Sequence, residues 1–224
     1  MSAIRFASWI LPILILGFVP FYSASADSLY PEGLYGWYEA GPSLVESAKI
    51  RNFPGDEFTD HNEVKFDPGF HFGIAIGQEV TRYVRVELES GFNYNALDSI
   101  SGADSSSGDF YRIPILANLV LQYPNRTGIV PVIGAGAGGQ WLAFDAQNVS
   151  LGLTTLDEQA ETWTFSYQAY AGVRYQFREN MSLGLFYHYN VSDGPSWDFD
   201  SVDGNFKLDS LRTHSVSLTL GWHF

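Results

Sequence analysis

The sequence predicts an all-β fold, an eight-stranded antiparallel up-and-down transmembrane β-barrel. Three observations predict it. Segment after segment changes chemical class at every second residue, which is the side-chain period of a β-strand. The gaps between those segments alternate between short and long, as they do when antiparallel strands cross a bilayer with tight turns on one side and longer loops on the other. The composition has 16% aromatic residues, 22 glycines and no cysteine, with a mean hydropathy of -0.05. It leaves no spanning helix beyond the N-terminal region and no disulfide to stabilise a small exported domain.

The N-terminus reads as an export signal. Arg5 precedes an apolar run from Phe6 to Tyr22, and Ala24, Ser25 and Ala26 form a small-residue cleavage site; small side chains fit the shallow pockets of a signal peptidase. Cleavage is expected after Ala26. Residues 1–26 are then a signal peptide and residues 27–224 the barrel domain. Pro12 and Pro20 interrupt the run and argue against a retained membrane helix.

Eight alternating segments follow. In the first, Leu34 to Val45, Tyr38, Ala40 and Leu44 oppose Trp37, Glu39 and Ser43; it is the least regular. Phe70, Phe72, Ile74 and Ile76 then oppose His71, Gly73, Ala75 and Gly77. Val84, Val86, Leu88, Phe92 and Tyr94 oppose Arg85, Glu87, Glu89, Gly91 and Asn93. Ile113, Ile115, Ala117, Leu119 and Leu121 oppose Arg112, Asn118 and Gln122. Ile133, Ala135, Ala137 and Trp141 oppose Gly134, Gly136, Gly138 and Gln140. The segment from Trp163 to Phe177 sets its aromatic and aliphatic residues against Ser166, Gln168, Tyr170 and Arg174. Leu183, Leu185, Tyr187 and Tyr189 oppose Ser182, Gly184, Phe186 and His188. In the last, Val216, Leu218, Leu220, Trp222 and Phe224 oppose Ser215, Ser217, Thr219, Gly221 and His223.

Short turns are expected near 78–82, 124–128 and 178–180, and long loops at 46–65, 97–109, 145–161 and 193–210. Aromatics at strand ends, among them Tyr123, Trp163, Phe177 and Phe224, suit the two water interfaces. A water-soluble barrel also alternates. Here, however, the polar face is rich in Gly, Ser, Thr and Asn and poor in lysine, a composition suited to a tight interior.

Charges on the inward face are the first candidate site. Arg85, Glu87, Glu89, Arg112, Arg174 and His188 share that face, and an unpaired charge in a narrow lumen is costly, so a paired network is expected, with Glu87 against an inward arginine. Eight strands make a barrel that side chains can fill, which favours a plugged interior over a pore.

The residues resemble a known superfamily. The glycine-rich stretch Pro131 to Gly139, the segments Arg85 to Gly91 and Arg112 to Asn118, and the terminal Leu220 to Phe224 are similar to the small outer-membrane β-barrels of the OmpA, OmpX and opacity types. That resemblance implies a bacterial outer-membrane location, with both termini periplasmic and long loops outside. It also implies contact with outer-membrane lipid, and recognition of the C-terminal strand ending at Phe224 by the barrel-assembly machinery. The expected function is a non-enzymatic envelope component or a surface-loop interaction or adhesion module, as a monomer. A small porin-like channel is the alternative.

A second alternative is enzymatic. His188 and Ser192, followed by Asp193 and Asp198, resemble the late-strand His and Ser of lipid A deacylases, which would hydrolyse an ester with His as base and Ser as nucleophile. That family's His-x-Ser-Asn run is absent, and His188 and Ser192 fall on the inward face, away from lipid.

The four long intervals hold 17 of the 25 acidic residues and four of the 12 lysines and arginines, so most of the net charge of -13 is expected on the outer rim. Such a rim argues against nucleic acid as a partner and suits an extracellular ligand or cell surface. Asp198, Asp200 and Asp203 are the densest cluster and a candidate cation-binding loop, although their spacing is not that of an EF-hand. No cysteine site, zinc motif or phosphate-binding loop is present, so no metal or cofactor is expected.

Overall fold

A computed structural model of the chain describes residues 33–52, 62–103, 105–151, 154–156, 158–198 and 205–224. The expected export signal, residues 1–26, lies outside them. The strands are β1 (Leu34–Val45), β2 (Ala48–Asn52), β3 (Glu63–Phe66), β4 (Gly69–Glu79), β5 (Val84–Ile100), β6 (Ser105–Gln122), β7 (Ile129–Leu151), β8 (Thr154–Leu156), β9 (Gln159–Arg178), β10 (Met181–Ser192), β11 (Ser196–Asp198), β12 (Asn205–Leu208) and β13 (Leu211–His223).

Eight of them form a closed antiparallel barrel in the order β1, β4, β5, β6, β7, β9, β10, β13, and β13 returns to β1. Closure follows from backbone chemistry, because an open sheet edge in hydrocarbon would leave N–H and C=O groups unsatisfied at several kcal/mol each. β1, the least regular segment in sequence, makes the seam: Tyr38 lies between Leu220 of β13 and Ile74 of β4.

Side-chain parity sorts the two faces. Leu88, Leu119, Ile133, Leu183 and Leu218 stand exposed on the outside, a concentration of apolar surface that suits lipid. Tyr83, Tyr123, Tyr175, Phe177 and Phe224 gather at the end of the short turns, with the Tyr83 and Tyr123 rings stacked 6.4 Å apart. The connections 80–83, 123–128 and 179–180 are short, as expected. In the second, Asn125 Oδ1 accepts the Thr127 amide at 2.9 Å, and Gly128 takes a φ of 75° that a side chain would disfavour.

The opposite end departs from the sequence expectation of long acidic loops. β5, β6, β7 and β9 run on through most of 97–109 and 145–161, and β7 reaches 23 residues. Beyond the barrel wall the sheet continues β5–β3–β2–β12–β11, with Val64 opposite Ile100 and Leu208 opposite Ile50.

These extensions enclose an apolar core. Val45, Ile50, Val64, Leu97, Phe110, Leu142, Phe144, Trp197, Phe206 and Leu208 pack together. Trp197 is fully buried among Phe110, Phe144 and Phe206, with ring centroids at 6.2, 6.0 and 5.8 Å. The physical reason lies in short alternations inside the acidic intervals: Ala48 and Ile50 flank Lys49, and Phe206 and Leu208 flank Lys207, so each short strand turns apolar residues in and charge out.

Removing the centre of this cap tests its independence. Trp197→Ala should destabilise the cap by about 3–5 kcal/mol through the cavity it leaves. Amide exchange in β2, β11 and β12 should then rise while β4 and β10 stay protected; uniform exchange across all strands would mean that cap and barrel unfold as one unit.

Candidate functional site

The lumen is a column of polar side chains beneath the apolar cap. At the short-turn end, Arg85 hydrogen-bonds and ion-pairs with Glu79 and approaches His223 Nε2 at 3.1 Å, while its guanidinium lies 4.3 Å from the centre of the Tyr35 ring. Arg174 donates to Gln122 beside them.

One step further in, Glu87 is buried and accepts hydrogen bonds from Tyr35 at 2.7 Å and Tyr170 at 2.8 Å. Glu87 faces inward but meets two tyrosines where an arginine was expected. The reason is steric. Tyr170 reaches inward because Gly134 faces it on β7, where a Cβ would overlap the ring. Val120, Val130, Val132 and Phe186 pack around this tyrosine.

The middle layer gathers Glu39 of β1, His71 of β4, Glu89 of β5 and His188 of β10. Glu39 Oε1 lies 3.2 Å from His71 Nε2, Glu39 Oε2 lies 3.1 Å from His188 Nε2, and Ser217 donates to Oε2 at 3.0 Å. Glu89 accepts from Asn118 and Gln168, both at 2.6 Å. Tyr170 stacks on the His188 ring at 5.0 Å. Donor atoms of Glu39, Glu89 and His188 all lie within 4.8 Å of one another.

Above them Arg112 is fully buried and donates to Thr213, to Asn95 at 2.9 Å and to Ser43 at 3.3 Å. Its guanidinium lies 5.5 Å from the Phe110 ring, where the apolar cap begins. Ser192 donates to Gln140 within the same interior.

Two cavities of about 30 Å3 each interrupt the column, one beside Tyr35, Glu87 and Tyr170, the other beside Glu39, His71, Glu89 and Arg112. Each has room for one or two waters held by polar walls.

The six inward residues singled out in sequence thus fall in separate layers. Arg85 and Arg174 share one end, Glu87 lies above them, Glu89 and His188 occupy the middle, and Arg112 lies under the cap. Glu39, at the centre of the middle layer, was absent from that set. Its inward parity on β1 was the available signal, and the irregularity of that segment obscured it.

Asp198 is exposed at the end of β11, whereas Asp200 and Asp203 lie outside the described residues. At the outer rim Tyr187 contacts His214 Nδ1 at 2.6 Å, and His214 Nε2 contacts Glu46 at 2.7 Å. The His214 hydrogen bond holds the Glu46 carboxyl below its ordinary value.

Comparison with known proteins places these features in a family. The model of the family described as outer membrane protein beta-barrel domain matches residues 15–224. An uncharacterised protein of Brucella abortus is 21% identical over 174 residues, covering 66% of this chain, and the chain spans 61% of that relative's length. Neisserial surface protein A superimposes with a TM-score of 0.56 at 17% identity, covering 86% of this chain and 98% of its own. OprG of Pseudomonas aeruginosa gives 0.55 at 12% identity, covering 87% and 98%.

Two consequences are measurable. Tyr35→Phe and Tyr170→Phe should each destabilise the barrel by about 1.5–3 kcal/mol in denaturant unfolding, since each removes one donor from a buried carboxylate. The double variant should exceed their sum, because Glu87 is then left without either. At the rim, a depressed carboxylate stabilises the fold above its unfolded value and loses that contribution as pH falls through its folded value. The difference in unfolding midpoint between wild type and Glu46→Gln should therefore be present near neutral pH and vanish in acid.

Proposed function

Given that this chain belongs to the outer membrane protein β-barrel domain family, we propose that it is a closed, non-conducting and non-enzymatic barrel whose work is done by its outer β-sheet cap. The barrel sits in the bacterial outer membrane with the short turns and Phe224 on the periplasmic side and the cap outside. Its apolar wall contacts membrane lipid.

The observation that carries the reading is the filled axis: hydrogen-bonded side chains occupy the lumen from Arg85 to Arg112, and Phe110 and Trp197 seal its outer end. A solute crossing this axis would have to break buried charge-assisted hydrogen bonds and then open an apolar core. The cap presents a β-built scaffold with acidic side chains such as Asp98, Asp193 and Asp198 exposed on it, a surface suited to an extracellular ligand or another cell. Residues 1–26 as an export signal, and recognition of β13 and its terminal Phe224 by the barrel-assembly machinery, belong to the same reading.

Planar-bilayer recording with the purified protein is expected to show a quiet baseline. Discrete, voltage-independent current steps in the wild type would overturn the closed-barrel reading in favour of a channel. Cells carrying a version without residues 196–207 should lose surface binding while retaining the folded barrel; undiminished binding would remove the cap from the interaction.

A further inference from the structure

The middle layer of the lumen combines burial, excess negative charge and unmet ligand atoms. Glu39, His71 and His188 have side chains only 1%, 8% and 6% exposed. Yet Glu39 Oε1, His71 Nε2 and His188 Nε2 make no hydrogen bond of acceptable geometry, although the nitrogens approach Glu39 at 3.2 and 3.1 Å. These atoms meet only one another, as ion pairs lacking well-aligned hydrogen bonds, an uncommon arrangement for buried polar groups.

The charges point the same way. Inward carboxylates at Glu39, Glu79, Glu87 and Glu89 outnumber guanidiniums at Arg85, Arg112 and Arg174, and the guanidiniums bond to groups other than Glu39 and Glu89. Arg85 is engaged by Glu79, Arg174 by Gln122, and Arg112 by Thr213, Asn95 and Ser43. Among the described residues, Glu39 and Glu89 therefore have two imidazoles as their nearest cationic candidates, with Arg112 on the same cavity but hydrogen-bonded to neutral oxygens.

We propose that Glu39, Glu89, His71 and His188 form a binding site for one divalent transition-metal ion of the zinc class inside the barrel. Imidazole together with carboxylate is the donor set of zinc and its first-row neighbours, whereas calcium and magnesium prefer all-oxygen sites. Ligand atoms about 2.0–2.2 Å from zinc stand roughly 3.4 Å apart at tetrahedral angles. The Glu39 oxygens already stand at about that spacing from both imidazole nitrogens. The ligand atoms of Glu39, Glu89 and His188 lie within 4.8 Å of one another; His71 stands outside that group, with its Nε2 3.2 Å from Glu39 Oε1, and side-chain rotation would have to bring it to a shared ion.

Space and orientation are provided. The cavity of about 30 Å3 bordered by Glu39, His71, Glu89 and His188 is also lined by Gly73, Gly91 and, toward the cap, Arg112. A Cβ at Gly73 would stand 2.8 Å from Glu39 Cγ, so that glycine keeps the carboxylate in place. Ser217 on Glu39, Asn118 and Gln168 on Glu89, and Tyr170 against His188 fix the ligands from behind, as outer partners do in metal sites. An ion here would neutralise the surplus carboxylate charge and satisfy the three unmet atoms together.

The test uses the full chain, stripped with chelator and refolded into micelles with Zn2+ present, because the cap restricts entry once the barrel has formed. Metal analysis after dialysis should find one zinc per chain, and zinc should raise the unfolding midpoint where the same concentration of Ca2+ does not. Co2+ in place of zinc should give the intense visible bands of a four-coordinate N/O site. His188→Asn should weaken binding at least about tenfold, and the His71→Asn/His188→Asn pair should abolish it.

Dialysed wild type without metal overturns the proposal. So does retention in the double variant, or equal stabilisation by Ca2+, either of which places the ion on the acidic rim. Should the double variant fail to fold, X-ray absorption of the zinc-loaded wild type decides: imidazole scattering supports the site, and an oxygen-only shell overturns it. Neither outcome bears on conductance, so this test and that of the closed barrel fail independently.

Discussion

In hydrocarbon every backbone N–H and C=O needs an internal partner, and a sheet meets that demand only by closing on itself. In this chain closure rests on β1 and β13, the first and last strands of the barrel, which are far apart in sequence and meet along Tyr35 to Val45. Once the seam forms, side-chain parity is fixed around the whole ring, since a slip of one residue would carry an inward row to the lipid face. The same closure sets the bore. Eight strands leave a lumen wide enough for side chains and little else, so each inward residue is chosen against those opposite it.

That choice appears as pairs of large and absent side chains. Tyr170 occupies the space opposite Gly134, Phe186 lies against Gly172 and Gly184, and Tyr35 and Glu87 crowd Gly77. The glycines make a narrow barrel able to hold tyrosines and carboxylates, whose hydrogen bonds then rigidify the wall from within. β-strand glycines otherwise weaken a sheet; on the inward face of β7 they stand where the neighbouring strands crowd in, Gly134 against Tyr170 of β9 and Gly136 against Asn118 of β6.

Parity could be read from the residues because it is local: Leu218 against Ser217, or Leu88 against Glu87, shows its face without knowledge of any neighbour. The partners across the lumen could not be read in this way. Whether Glu87 meets Arg174 or Tyr170 depends on strand stagger and on which positions lack a Cβ, and both are properties of the closed ring. The cap was hidden for a different reason. Its strands are three to five residues long, and the acidic residues interleaved with them dominate the composition of the interval, so that Trp197 and Phe206 read as isolated apolar residues. For Glu39 the parity was blurred by the irregularity of its segment, and the sequence held no sign that β1 abuts β4 and is separated from β10 by β13 alone.

The two ends of the barrel solve different problems, and the difference explains where the apolar core sits. At the periplasmic end turns of two to six residues join the strands at the bilayer edge, and little backbone is left to satisfy. At the outer end the strands overshoot the lipid, so their edges enter water, where they would be open to pairing with other chains. β5 resolves this by exchanging partners, leaving β4 for β3 above Leu97, and the sheet then curls over the mouth through β2 and β12. Curling brings the inner faces of the extensions together over the lumen, and those faces carry the apolar alternation. The cap and the polar column meet at Arg112, whose guanidinium touches Asn95 and Thr213 on one side and the Phe110 ring on the other. A buried cation held by neutral oxygens is sensitive to their placement, so a shift of the cap over Phe110 would be felt by the charge layers beneath it.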